Sequence, residues 1–111
     1  MSILSYKKYC KKCGVYFITV KNFTKIGCAV DIAERYMDLQ TGCPYKMKIN
    51  GYIPLPKNKK ILLIEENTAH IYFHNYFHNG EWFKNMSHLI KEYIKMRKKV
   101  LANQETDKEV I

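Results

Sequence analysis

In the last third of the chain, Trp82, Met86, Leu89, Tyr93, Met96 and Val100 recur in steps of four and three. That spacing predicts an amphipathic helix of about five turns. Such a helix needs an apolar partner to lie on. The run GVYFITV at 14–20, β-branched and aromatic, reads as a strand of that partner. Residues 28–42, CAVDIAERYMDLQTG, repeat Val30, Ala33 and Met37 at helical spacing and stop at Gly42, which predicts a central helix. The intervening KNFTKIG reads as a connection. Residues 43–60 are turn-rich, and Pro54 and Pro56 exclude a regular central strand there. ILLIEE reads as a short apolar strand, and HIYFHNYFH as another after a turn. The expectation is an α+β fold with a short antiparallel sheet, a central helix and a long C-terminal amphipathic helix. It forms a single domain over 1–103, with a polar tail at 104–111.

A chain of 111 residues, 47% hydrophobic, can form a real core. At that size only about two-thirds of the unfolded surface is buried, so a cross-link, metal or partner would help. Lys and Arg number 19 against 10 acidic residues, a net charge of +9. This excess predicts attraction to polyanions and says nothing about fold. No apolar run is long enough for a membrane span. The N-terminal MSILSYKKYCKKC has no apolar stretch after its charges, unlike a signal peptide. The chain therefore reads as cytoplasmic, and its four cysteines as reduced thiols or metal ligands.

Cys10 and Cys13 form a CKKCG motif leading into the 14–20 strand. A thioredoxin-like site needs a helix after the pair, and GVYFITV does not favour one. A tight turn with a following glycine instead resembles a zinc knuckle in its local pattern, over six residues. With Cys28 and Cys43 the spacing is C-x2-C-x14-C-x14-C, which supplies four ligands for a structural Zn2+ but no second close pair. Zinc on all four, zinc on Cys10 and Cys13 with another pair, and structurally quiet thiols all stay open.

His70, His74 and His78 are four apart. On a helix they would share one face. On a strand they would stand about 13 Å apart and could not share an ion. The aromatics between them favour a strand, with Tyr72, His74 and Tyr76 on a face suited to stacking on bases.

No hydrolytic triad, P-loop or dinucleotide turn is visible, so the sequence reads as a non-enzyme. The minor enzymatic alternative is a ββα-metal nuclease, with HNGEW in a hairpin and Asn85 and His88 on the following helix. It lacks the usual acidic–His pair. Three basic clusters carry more weight: Lys7, Lys8, Lys11 and Lys12 around Tyr6 and Tyr9; Lys59 and Lys60; and Lys91, Lys95, Arg97 and Lys98. Together they predict a surface that follows phosphates with little sequence preference, in nucleic acid or a nucleoprotein. The alternative is a small phage or mobile-element inhibitor or adaptor, of the anti-CRISPR kind, docking on a host nuclease or other host protein.

Overall fold

Alternation along GVYFITV sends Val15 and Phe17 to one face of a sheet and Tyr16 and Ile18 to the other. All four are 0–1% exposed, so both faces of this strand are covered. In a computed structural model the backbone is described over residues 5–110 and side chains over 6–104. The strands are β1 (Gly14–Val20), β2 (Phe23–Ala29), β3 (Lys48–Pro54), β4 (Phe77–Asn79) and β5 (Trp82–Lys84). They form one antiparallel sheet in the order β3-β1-β2-β5-β4. The helices are α1 (Ile32–Thr41), α2 (Lys59–Tyr72) and α3 (Ile90–Val110). The α+β expectation holds, with the short antiparallel sheet and long last helix in place.

Two cores flank the sheet. Val15, Phe17, Ile26 and Ile53 meet Ala69 and Phe73 from the α2 segment and Ile90, Tyr93 and Ile94 of α3. On the other face Tyr16 and Ile18 meet Ile32 of α1 and Met47. α1 starts where Asp31 accepts a hydrogen bond from the Glu34 amide, an N-cap at 3.2 Å. α3 approaches β3 at Gly51, where a Cβ would stand 2.8 Å from the Ile94 side chain. The missing side chain lets helix and strand pack closely.

Several elements differ from expectation. KNFTKIG is not a connection: Phe23–Ala29 is β2, pairing with β1 from Val20↔Phe23 to Gly14↔Ala29. The turn-rich segment holds β3, an edge strand that ends at Pro54, where a missing amide costs no ladder bond. ILLIEE is helical. Asn58 caps α2 by accepting from the Ile61 amide at 3.1 Å, and Leu62, Glu65 and Ala69 turn inward at helical spacing. A short apolar run is compatible with either a strand or a buried helix, and here the cap decides. HIYFHNYFH is split between the end of α2, a single 3-10 turn (His74–Tyr76) and β4. α3 starts at Ile90, so Trp82 belongs to β5, and Met86 and Leu89 precede the helix. The tail expected at 104–111 lies, from 105 onward, outside the residues whose side chains are described.

Ile90 is 1% exposed at the centre of the α3 contact, whereas Lys95 is exposed. Ile90→Ala should therefore lower unfolding free energy by about 2–5 kcal/mol and Lys95→Ala by less than about 0.5 kcal/mol. Urea denaturation checks this, and equal losses would mean the helix face is misassigned. Among the described residues no helix is long and apolar enough to cross a membrane.

Candidate catalytic cluster and nucleic-acid interface

The CKKCG segment closes a tight turn after a 3-10 helix (Ser5–Tyr9), with Lys11 at φ 59°. Backbone bonds fasten it. The Lys12 carbonyl accepts from Ile32 at the start of α1, and the Cys13 carbonyl from Leu55 after β3, both at 3.0 Å. The four cysteines diverge from there. Cys28 faces the α2–α3 side of the sheet, while Cys43 packs against the core on the α1 side. Among the described residues no three His, Cys, Asp or Glu side chains are grouped to hold an ion. Cys28 also hydrogen-bonds Glu66, and its thiol is pushed up to about 11, chiefly by burial and then by the charge of Glu66. Without a metal ion on it, the thiol stays protonated at neutral pH.

The histidines leave the expected sheet face. His70 lies on α2, His74 in the 3-10 turn and His78 on β4. Tyr72 packs on Tyr93 with ring centroids 4.6 Å apart, and Tyr76 on Phe73 at 6.4 Å. His74 donates to the Ile71 carbonyl at 2.9 Å. Asn85 and His88 both precede α3.

The fold redistributes the basic clusters. Arg97 is bound to the buried Glu65 through Nε at 2.6 Å and a second nitrogen at 2.9 Å, which occupies it structurally. Lys59 and Lys60 open α2, and Lys59 lines a separate groove with Cys28. Lys91, Lys95 and Lys98, on one face of α3, line a groove of about 430 Å3 together with Tyr9 and Tyr52. Tyr9 meets Tyr52 edge to face at 5.9 Å. Tyr9 is shared with a second groove containing Lys8, Lys48, Tyr6 and Tyr36, and these two tyrosines are shared with a third. The result is one band of tyrosines and lysines running from α3, across the exposed edge of β3, to the end of α1. Lys7, Lys11 and Lys12 are exposed on the segment that carries Tyr6 and Tyr9.

A second assembly was not legible in the sequence. β5 is too short to cover β2: it pairs with Phe23, Thr24 and Lys25, and the Ile26 amide then donates to the Glu81 carbonyl at 3.0 Å. Beyond that point α2 supplies side chains in place of a strand. His70 Nε2 donates to the Ile26 carbonyl at 2.9 Å, and the Glu66 carboxylate accepts from the Cys28 amide and thiol. Glu66 and His70 are four residues apart, hence on one face of α2.

On the other face of the same strand, Tyr16 lies across Gly27, its cross-strand partner. Arg35 of α1 donates to the Tyr16 hydroxyl, which raises the guanidinium further. Burial holds the phenol proton on, with Arg35 pulling the other way. Lys25, 8% exposed, pairs with Glu81 at 2.8 Å and stands 5.4 Å over the Trp82 ring. Glu66 is raised above the usual carboxylate range, first by burial and then by Glu81, with His70 opposing. Two cations, two carboxylates, a phenol and an imidazole thus come together near Gly27 from five separate segments. Of these, Tyr16, Arg35 and Glu66 are shifted from their ordinary values, which makes the cluster a candidate site.

A Cβ at position 27 would collide with the Tyr16 ring and hydroxyl. Gly27→Ala should therefore displace the phenol from Arg35 and lower the melting temperature, while the far-ultraviolet circular dichroism spectrum is retained. An unchanged melting temperature would show that the Tyr16–Arg35 contact does not depend on a bare position 27.

The chain matches no protein-family model, no curated protein and no solved structure.

Proposed function

We propose that this protein binds nucleic acid along the tyrosine–lysine band and hydrolyses a phosphodiester bond at the cluster around Gly27. The observation behind the reading is the convergence of Lys25, Arg35, Glu66, Glu81, Tyr16 and His70 at one bare glycine of an otherwise apolar sheet.

The side chains suit attack on phosphorus. Arg35 is exposed and held in place by Tyr16, so its remaining donors can bind the non-bridging oxygens and stabilise charge that grows in the transition state. Tyr16, almost fully buried, keeps its proton and acts by positioning Arg35. Lys25 and Glu81 neutralise one another and keep the site's net charge low. In this reading Glu66 would hold a divalent cation, which would supply Lewis acidity and a more acidic bound water. Mg2+ is commonly held by one or two carboxylates plus the substrate's own phosphate, so a three-ligand protein group is not required. Water adds to phosphorus, the bond to the leaving oxygen breaks, and that oxygen takes up a proton. Thiol chemistry is disfavoured, because Cys28 stays protonated at neutral pH.

The direct test uses end-labelled single- and double-stranded DNA and RNA of unrelated sequences, with Mg2+ or Mn2+. Cleavage products should form, disappear with chelator and be lost in Arg35→Ala. Binding without cleavage in every case would reduce the protein to a nucleic-acid-binding module. Absence of both would leave the charge to a host-protein partner, which pull-down would then identify.

A further inference from the structure

The groove at the end of α1 has a volume of about 490 Å3 and lies at one end of the tyrosine–lysine band. Its walls are Tyr6, Tyr36, Met37, Pro44 and Tyr45, with Gln40 at the floor. Tyr6 and Tyr36 are stacked, centroids 5.4 Å apart and planes 25° from parallel. Tyr45 and Met37 are about half exposed, at 53% and 50%. Lys21 places its ammonium 4.3 Å from the Tyr45 ring centroid. The groove therefore offers ring faces and a thioether, with a cation at its rim.

The polar groups of Gln40 and Tyr36 are already used. Gln40 Oε1 accepts from the Met47 amide at 2.7 Å and from the Tyr36 hydroxyl at 3.3 Å. Gln40 Nε2 donates to the carbonyls of Tyr45 at 2.9 Å and Cys43 at 3.3 Å. The Tyr36 hydroxyl also donates to the Met47 carbonyl at 2.9 Å. These bonds fix the floor and leave neither Gln40 nor Tyr36 free to read the edge of a base.

We infer that this groove takes an unpaired nucleobase by stacking, without base preference, and that the band accordingly prefers single-stranded nucleic acid. The inference rests on the nucleic-acid reading above. Two features select this occupant. The groove is continuous with the lysine-lined grooves through Tyr6, Tyr36 and Tyr9, and a rim cation complements the phosphate beside a stacked base. Base faces in a duplex are covered by their neighbours, so only an unpaired base can enter. A pocket that grips ring faces, with Gln40 and Tyr36 held in their own bonds, takes any base, because every base has a π-face.

The test measures binding of short oligo(dT), oligo(dA) and a mixed-sequence duplex in chelator, so that cleavage does not interfere. Wild type should prefer both single strands over the duplex. Tyr45→Ala should weaken both single strands by about 5- to 100-fold, with an unchanged salt slope and unchanged duplex binding. Tyr45→Phe, which keeps the ring, should retain most of the affinity. An unchanged Tyr45→Ala, an equal loss on duplex, or a loss confined to one base would overturn the inference and leave the parent reading standing. If wild type binds none of the three, the nucleic-acid reading fails and this inference falls with it.

Discussion

Glu66→Gln is expected to lower strand cleavage by at least about 100-fold, the scale seen when one electrostatic contributor to a transition state is removed, and at the same time to make the protein more stable. The two effects share a cause. Glu66 is half-buried beside Glu81, and both burial and that neighbour favour its neutral form. A carboxyl raised by folding contributes stability that is fully present below its unfolded pKa. That contribution is lost as pH rises through the folded value. At neutral pH the wild type therefore carries a penalty that the neutral amide relieves, while Gln Oε1 can still accept from Cys28. The melting temperature should rise by up to about 4 °C at pH 7. The difference should vanish near pH 3, below the ordinary glutamate value of about 4.3. Cleavage by wild type, which needs the ionised carboxylate, should climb with pH to a point above the usual carboxylate range. A variant that loses stability at pH 7 and still cleaves would assign Glu66 to structure alone.

The second large effect concerns salt. Lys91, Lys95 and Lys98 line one groove with Tyr9 and Tyr52. Replacing all three lysines by Ala should flatten the slope of log affinity against log salt by about 2–3 units on duplex DNA, at about 0.9 per phosphate contact. Between 50 and 200 mM salt, wild type should then lose about 40-fold more affinity than the variant. Stability should hardly change, because all three side chains are exposed. A matched control is Lys59→Ala/Lys60→Ala on α2, away from this band, which should leave the slope nearly unchanged. Equal flattening in both would mean that charge acts diffusely and that the groove is not a track.

The parts of the fold legible in the sequence are those where packing alone chose the residues. β1 carries an unbroken apolar alternation, α1 has a cap and a period, and α3 repeats its apolar face. β2 was hidden because Lys25 and Gly27 interrupt its apolar pattern, and both are set by the cluster: Lys25 meets Glu81, and Gly27 clears space for Tyr16. Local rules tend to fail where function chooses the residue. α2 was hidden because ILLI satisfies strand and helix equally, and the usable signal was Asn58 shortly after Pro56. The cluster itself was out of reach. Positions 16, 25, 35, 66, 70 and 81 form no motif until the strand order is known. The lysines were visible as composition, but which of them share a groove depended on α3 lying along β3.

On the edge away from β1, β2 has no strand neighbour beyond Lys25 among the described residues, and Glu66 and His70 of α2 occupy backbone groups that a neighbour would have taken. The residues assigned to chemistry are therefore also wardens against polymerisation. A lineage that lost its catalytic need for them would still be held to them, because replacing both with small apolar residues would expose a seam onto which another chain could add. The proposed catalysis and the protection of this edge would in this way be tied to the same two side chains, and a homologue that has shed one should show a new cover over the other.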